Sequence, residues 1–191
     1  MEASKALEKL KKLLNCPKND ESTTVCIEHD KNSKLKKLHV SELNSRMLLL
    51  QFDNGLKKHN CIGFTPLFNA LDDCDHNRVC DAVLLKATEK GLAVTYLELK
   101  SDNTAGHVGQ FKSTSCFMKY LEELLRNVCN INSKINTQRY VVFHTDSQNA
   151  GRGGFQLRKT TQFNPTAPNT PDTAHKYVVK SGDTVRVTEF A

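Results

Sequence analysis

The sequence predicts an α/β fold in a single domain spanning residues 1–191. Three observations carry that prediction. Residues 80–101, CDAVLLKATEKGLAVTYLELKS, are two apolar runs joined by a short polar turn. Residues 107–128 repeat apolar side chains at helical spacing, and residues 139–145, RYVVFHT, read as a further central strand. Hydrophobic residues are 38% of the chain and charged residues 25%, enough apolar material for a packed core.

Taken in order, residues 4–15 form an amphipathic helix, with Leu7, Leu10, Leu13 and Leu14 on one face and lysines between them. That interruption excludes a signal peptide. Cys16-Pro17 ends the helix. Residues 23–29, TTVCIEH, are strand-like, residues 31–37, KNSKLKK, form a basic connection, and residues 46–53, RMLLLQFD, are an apolar run closed by Asn54-Gly55. Residues 56–79 are irregular. In the helix at 107–128, Phe111, Met118, Leu121, Leu125 and Val128 make the buried stripe, widened by Phe117 and Leu124, and Ser101 to Thr104 offer caps. Residues 161–175 are a Pro/Thr/Asn loop, and residues 177–190 read as a closing hairpin about Ser181-Gly182-Asp183.

No apolar run approaches the roughly 18 residues of a membrane span. Seven cysteines at irregular spacing fit reduced thiols and a cytoplasmic location. The net charge of +6 is unevenly spread: +4 over residues 1–60, −2 over 61–130 and +4 over 131–191. Basic flanks around an acidic middle suit a polyanion partner, although an ordinary solvated surface has the same appearance.

The two strands of residues 80–101 pose a chemical question. A hairpin symmetric about the Glu89–Lys90 bond sets Asp81 directly across from Glu98. Alternation then puts Asp81, Val83 and Leu85 on one face with Val94, Tyr96, Glu98 and Lys100, and Ala82, Leu84, Ala93, Leu97 and Leu99 on the other. Both faces are mostly apolar, the mark of a strand pair covered on both sides. Two carboxylates at the end of a covered sheet repel and lose hydration. A divalent cation resolves the conflict, and oxygen ligands favour Mg²⁺ or Mn²⁺. Lys100, two residues past Glu98, points into the same place, where it suits an attacking water or a developing phosphorane charge. The bland alternative is an edge strand with a solvated Glu–Lys pair.

Asp81, then Glu98-Leu99-Lys100 on a second strand, then a helix with Gln110 in its first turn, resembles the PD-(D/E)XK (restriction endonuclease-like) nuclease superfamily in its small bacterial members. Glu98-Leu99-Lys100 is the chain's single D/E-x-K triplet, and Cys80 stands where the motif has proline. The resemblance covers a core of about residues 79–145. It implies a central mixed β-sheet flanked by helices and metal-dependent hydrolysis of nucleic acid, DNA ahead of RNA. By the same resemblance Asp81, Glu98 and the Leu99 carbonyl hold Mg²⁺ or Mn²⁺, Lys100 serves the nucleophile and Gln110 supports the site. Glu42 and Glu28 are the candidates for the acid that many members carry on an early helix. Little room remains for a sequence-reading domain, so the resemblance also implies a protein partner or homo-oligomer, as in the effector subunits of restriction or anti-phage systems. A fold of this kind that has lost catalysis and only binds nucleic acid or a protein is the rival expectation.

Other constellations compete. His59, Cys61, Cys74, His76 and Cys80 have zinc-ligand chemistry but no C-x₂-C pair. Cys116 or Cys129 with His107 or His144 suggests a thiol nucleophile without a third group. GRGGFQLRK at 151–159 joins flexible glycines to Arg152, Arg158 and Lys159, which suits contacts with a nucleic-acid backbone. It lacks the Gly-Lys-Ser/Thr ending of a P-loop.

Overall fold

In the computed structural model, residues 2–15, 18, 22–28, 32–53, 78–101, 106–145, 158–159 and 168–191 are described. Helix α1 (Glu2–Leu13) is followed by strands β1 (Thr24–Ile27), β2 (Lys37–Ser41), β3 (Met47–Leu50), β4 (Ala82–Thr88) and β5 (Gly91–Lys100). Helix α2 (His107–Asn127) leads to β6 (Ile135–His144), β7 (Arg158–Lys159), β8 (His175–Val178), β9 (Thr184–Arg186) and the one-turn helix α3 (Val187–Phe190). Six strands form one sheet in the order β3-β4-β5-β6-β8-β7, and β1-β2-β9 form a second. The larger sheet is mixed. β5, β6 and β8 run parallel, while β3, β4 and β7 join antiparallel to their neighbours.

The hairpin register is as the sequence predicts. The seven β4–β5 pairs run from Ala82↔Leu97 to Thr88↔Gly91. Gly91 is required at the turn. Its φ is +135°, and a Cβ there would lie 2.3 Å from the Lys134 carbonyl oxygen. The alternation also holds. Val83, Leu85, Val94 and Tyr96 pack against Leu7 and Leu10 of α1 and Phe111, Met118, Leu121 and Leu125 of α2. Ala82, Leu84, Leu97 and Leu99 pack against Leu38, Val40, Val185 and Phe190. An α/β architecture with mixed sheet and flanking helices is therefore present, but helices α1 and α2 share one face. The other face is covered by the small sheet and α3.

Four local expectations are corrected. The C-terminal hairpin over 177–190 is absent: β8 pairs with β6, while β9 pairs with β2. Hydrogen bonds explain the divergence. His39 N donates to the Asp183 carbonyl and Gly182 N to the Lys37 carbonyl, so the turn at 180–183 delivers the chain to β2. Second, β2 begins inside the basic stretch that reads as a connection. Third, β6 starts at Ile135, four residues early, because its first half pairs with the long β5. Fourth, Val128 is 72% exposed, since α2 ends at Asn127 and turns away through Asn130 at φ 54°.

Candidate active site

The site is assembled where β4 begins and β5 ends. Helix α2 fixes the approach to β4. Thr114 Oγ1 accepts from Cys80 N at 2.9 Å and donates to the Gln110 carbonyl at 2.7 Å. Gln110 Nε2 donates to the Val79 carbonyl at 3.2 Å. Residues 79 and 80 are thus clipped to the first turns of α2, which sets the position of Asp81. There Asp81 Oδ2 accepts from Leu99 N at 2.6 Å, satisfying a backbone donor beyond the last β4–β5 pair.

Glu98, one residue before Leu99, is 1% exposed, and Asp81 is 7% exposed. Glu98 Oε1 lies 2.6 Å from Lys100 Nζ, which also donates to Gln110 Oε1 at 3.0 Å. Glu98 Oε2 is buried without a hydrogen-bond partner. A chain of contacts therefore runs Glu98–Lys100–Gln110–Val79, and one carboxylate oxygen is left over.

Burial is the main cause of the perturbed acids. It pushes the Asp81 carboxyl well above the usual range, helped by the charges of Glu98, Glu28 and Asp53 and opposed by the Leu99 N–H. It raises Glu98 to about 7 against the pull of Lys100, with Glu28 adding to the rise. Burial works to lower Lys100, but Glu98, Asp81 and Glu28 hold its ammonium above the ordinary value. Two acids that resist ionisation beside a cation that resists deprotonation are an arrangement that added positive charge relieves.

Asp81, Glu98, Leu99, Lys100 and Gln110 are thus brought together. Of the two early acids, Glu28, at the end of β1, acts on both carboxyls and on Lys100. Glu42 is exposed, has φ 65° and accepts from Thr188 Oγ1 at 2.7 Å, which directs it to α3 and not to the pair. Arg158 and Lys159 form the edge strand β7 against β8, and Arg152 lies outside the described residues. Of the zinc constellation, His59, Cys61, Cys74 and His76 also lie outside them, and Cys80 is a buried free thiol whose Sγ meets the Ala82 carbonyl. Thr114 escaped sequence reasoning because a lone threonine inside a helix carries no signal of its partner.

The Asp81 and Glu98 carboxyls and the Leu99 carbonyl are hard oxygen donors of the kind that Mg²⁺ or Mn²⁺ takes, and they are the groups that would hold such an ion. The unpartnered Glu98 Oε2 fits that role. Among the described residues, no three His, Cys, Asp or Glu groups form a cluster able to hold a metal by themselves. A cleft of about 220 Å³ lies at the opposite end of the hairpin, around Thr88, Lys90, Gly91 and Ser133, away from these acids. Among the described residues, no helix is long and apolar enough to cross a membrane.

No protein-family model, curated protein or solved structure matches the chain.

Proposed function

We propose that this protein is a metal-dependent nuclease that hydrolyses phosphodiester bonds of DNA or RNA. The observation that carries the reading is the pairing of two buried acids, Asp81 and Glu98, beside Lys100, with Glu98 Oε2 left without a partner. Asp81, Glu98 and the Leu99 carbonyl would hold Mg²⁺ or Mn²⁺. When bound, such an ion supplies positive charge to the phosphoryl oxygens and lowers the pKa of water.

The chain's own residues do the rest. Lys100 keeps its ammonium beside the reacting phosphate, where it stabilises the oxygens that gain charge as water adds to phosphorus and the ester P–O bond breaks. Gln110 fixes the direction of the Lys100 amine through its 3.0 Å contact. Thr114 and the Val79 carbonyl hold Gln110 and the start of β4, so the acids keep their separation. Glu28 adds negative field that favours a cation in the site.

The test is cleavage of plasmid, linear duplex, single-stranded DNA and RNA with Mg²⁺, Mn²⁺ or EDTA. Wild type is compared with Glu98→Ala and Lys100→Ala. Metal-dependent cutting lost in both variants is the expected result. Absence of cutting on every substrate, together with no metal-induced rise in Tm, would overturn it.

A second reading is a catalytically inactive module of this fold that binds nucleic acid or a protein partner. The 2.6 Å ion pair of Lys100 with Glu98, which already sets a cation against that acid, favours it. It requires that Asp81→Ala and Glu98→Ala leave function intact.

A further inference from the structure

The segment between β1 and β2 is bound to the end of β5. Lys34 N donates to Ser101 Oγ at 2.7 Å, and Ser33 Oγ lies 3.1 Å from the same atom. Ser101 directly follows Lys100. On the other side, Ser181 Oγ accepts from Lys36 N at 3.0 Å and Lys37 N at 3.2 Å, which draws the turn after β8 against this segment. That turn is closed by Lys180 N on Asp183 Oδ2 at 2.7 Å and by Asp183 N on the Lys180 carbonyl. Backbone bonds to Ser101, Ser181 and Asp183 therefore hold Lys34, Lys37 and Lys180 on adjoining turns, and all three side chains are exposed. The segment also meets the site's acids: Glu28, whose charge acts on Asp81 and Glu98, donates its N–H to the Lys36 carbonyl.

Among the described residues of these turns, Lys34, Lys36, Lys37 and Lys180 stand against one acid, Asp183, so their net charge is basic. The exposed large apolar side chains of the described residues are Leu13, Tyr120 and Val128, all on or beside the helices. Among the described residues, these turns thus offer cations without an apolar stacking platform. Cations alone grip phosphates and carry no sequence information, whereas single strands are held largely by stacking of bases on aromatic rings.

The geometry points to Lys34, Lys37 and Lys180 as a phosphate track that holds a nucleic-acid duplex, independently of sequence, and leads it to the Asp81–Glu98 pair. The inference rests on the nucleic-acid reading above, but it concerns binding, which can be separated from cleavage.

The experiment is fluorescence anisotropy of the full chain with a short labelled DNA duplex in EDTA, over a range of salt. A triple variant, Lys34→Ala with Lys37→Ala and Lys180→Ala, is compared with a charge-matched control, Lys11→Ala with Lys90→Ala and Lys119→Ala, whose lysines are exposed elsewhere. Circular dichroism and Tm verify that both fold. The track variant is expected to bind at least about 10-fold more weakly and to lose about 2–3 from the slope of log K against log salt, near 0.9 for each phosphate contact removed. The control should stay within about twofold of wild type. Equal loss in the two triple variants, an unchanged slope in the track variant, or no duplex binding by wild type overturns the proposal. Glu98→Gln separates the two readings. Binding retained there, lost in the track variant and unaccompanied by cleavage in wild type, upholds the track while removing the nuclease.

Discussion

Asp81 accepts the backbone N–H of Leu99 at 2.6 Å, so one of the two acids at the centre of the site also completes the end of the sheet. The role separates its charge from its shape. Asp81→Asn keeps an acceptor oxygen and removes the repulsion with Glu98. Asp81→Ala leaves the Leu99 N–H buried and unpaired, which costs about 1–3 kcal/mol. In EDTA at pH 8, denaturant unfolding should rank Asp81→Asn above wild type and Asp81→Ala below Asp81→Asn by that margin. Both variants should lose metal-dependent cleavage by at least about 100-fold.

The raised acids make stability pH-dependent in a stated direction. The folded-state value of Glu98 is about 7, above its unfolded value near 4.5. Between these values the folded protein keeps a proton that the unfolded chain has released, so stability is full below about pH 4.5 and falls as pH rises through 7. The loss is of the order of 3 kcal/mol for Glu98. Asp81, also raised, adds to it in the same sense. Metal-free urea titrations from pH 4 to 8 should show this fall in wild type and a clearly smaller one in Glu98→Gln. Equal slopes would contradict the burial of the pair.

Thr114 is predicted to act on the site through the backbone alone. Thr114→Val preserves shape but leaves Cys80 N without its acceptor. We expect a loss of about 1–3 kcal/mol in unfolding free energy. With the start of β4 released from α2, cleavage should fall by about 10–100-fold, as for other groups that orient ligands from outside the first layer. Thr114→Ser should recover both quantities.

Gly91→Ala tests the hairpin itself. Both the positive φ and the 2.3 Å approach to the Lys134 carbonyl oppose a methyl group. Relaxation must move backbone, since the obstructing atom is not a side chain. A fall in stability of at least about 2 kcal/mol is expected, readable as a drop in Tm.

The β4–β5 hairpin was legible in the sequence because everything that defines it is local. A Gly at a turn, apolar alternation and period-two geometry set the register, whose last pair, Ala82↔Leu97, stops one position short of Asp81 and Glu98. The stripe of α2 was legible for the same reason, apart from Val128, whose fate depends on where the helix stops. Charge spacing alone likewise brought Glu98 and Lys100 to one face.

Residues 177–190 mark the limit. Their alternation and Ser-Gly-Asp turn suit a hairpin, but turn chemistry says only that the chain reverses, not which strand edge receives it. The edge of β2 took β9 through bonds from His39 and Gly182, partners about 144 positions apart in the chain. The same distance hides the choice between Glu28 and Glu42. Both are acids near strand ends, and only packing of the small sheet on the large one brings Glu28 within electrostatic reach of Asp81 and leaves Glu42 with Thr188. By itself the sequence determined the local periodicities and the acidic pair they create. The tertiary structure alone decided which distant backbone and charges surround that pair, because non-local contacts are selected by the packing of whole faces and not by the residues on either side of a turn.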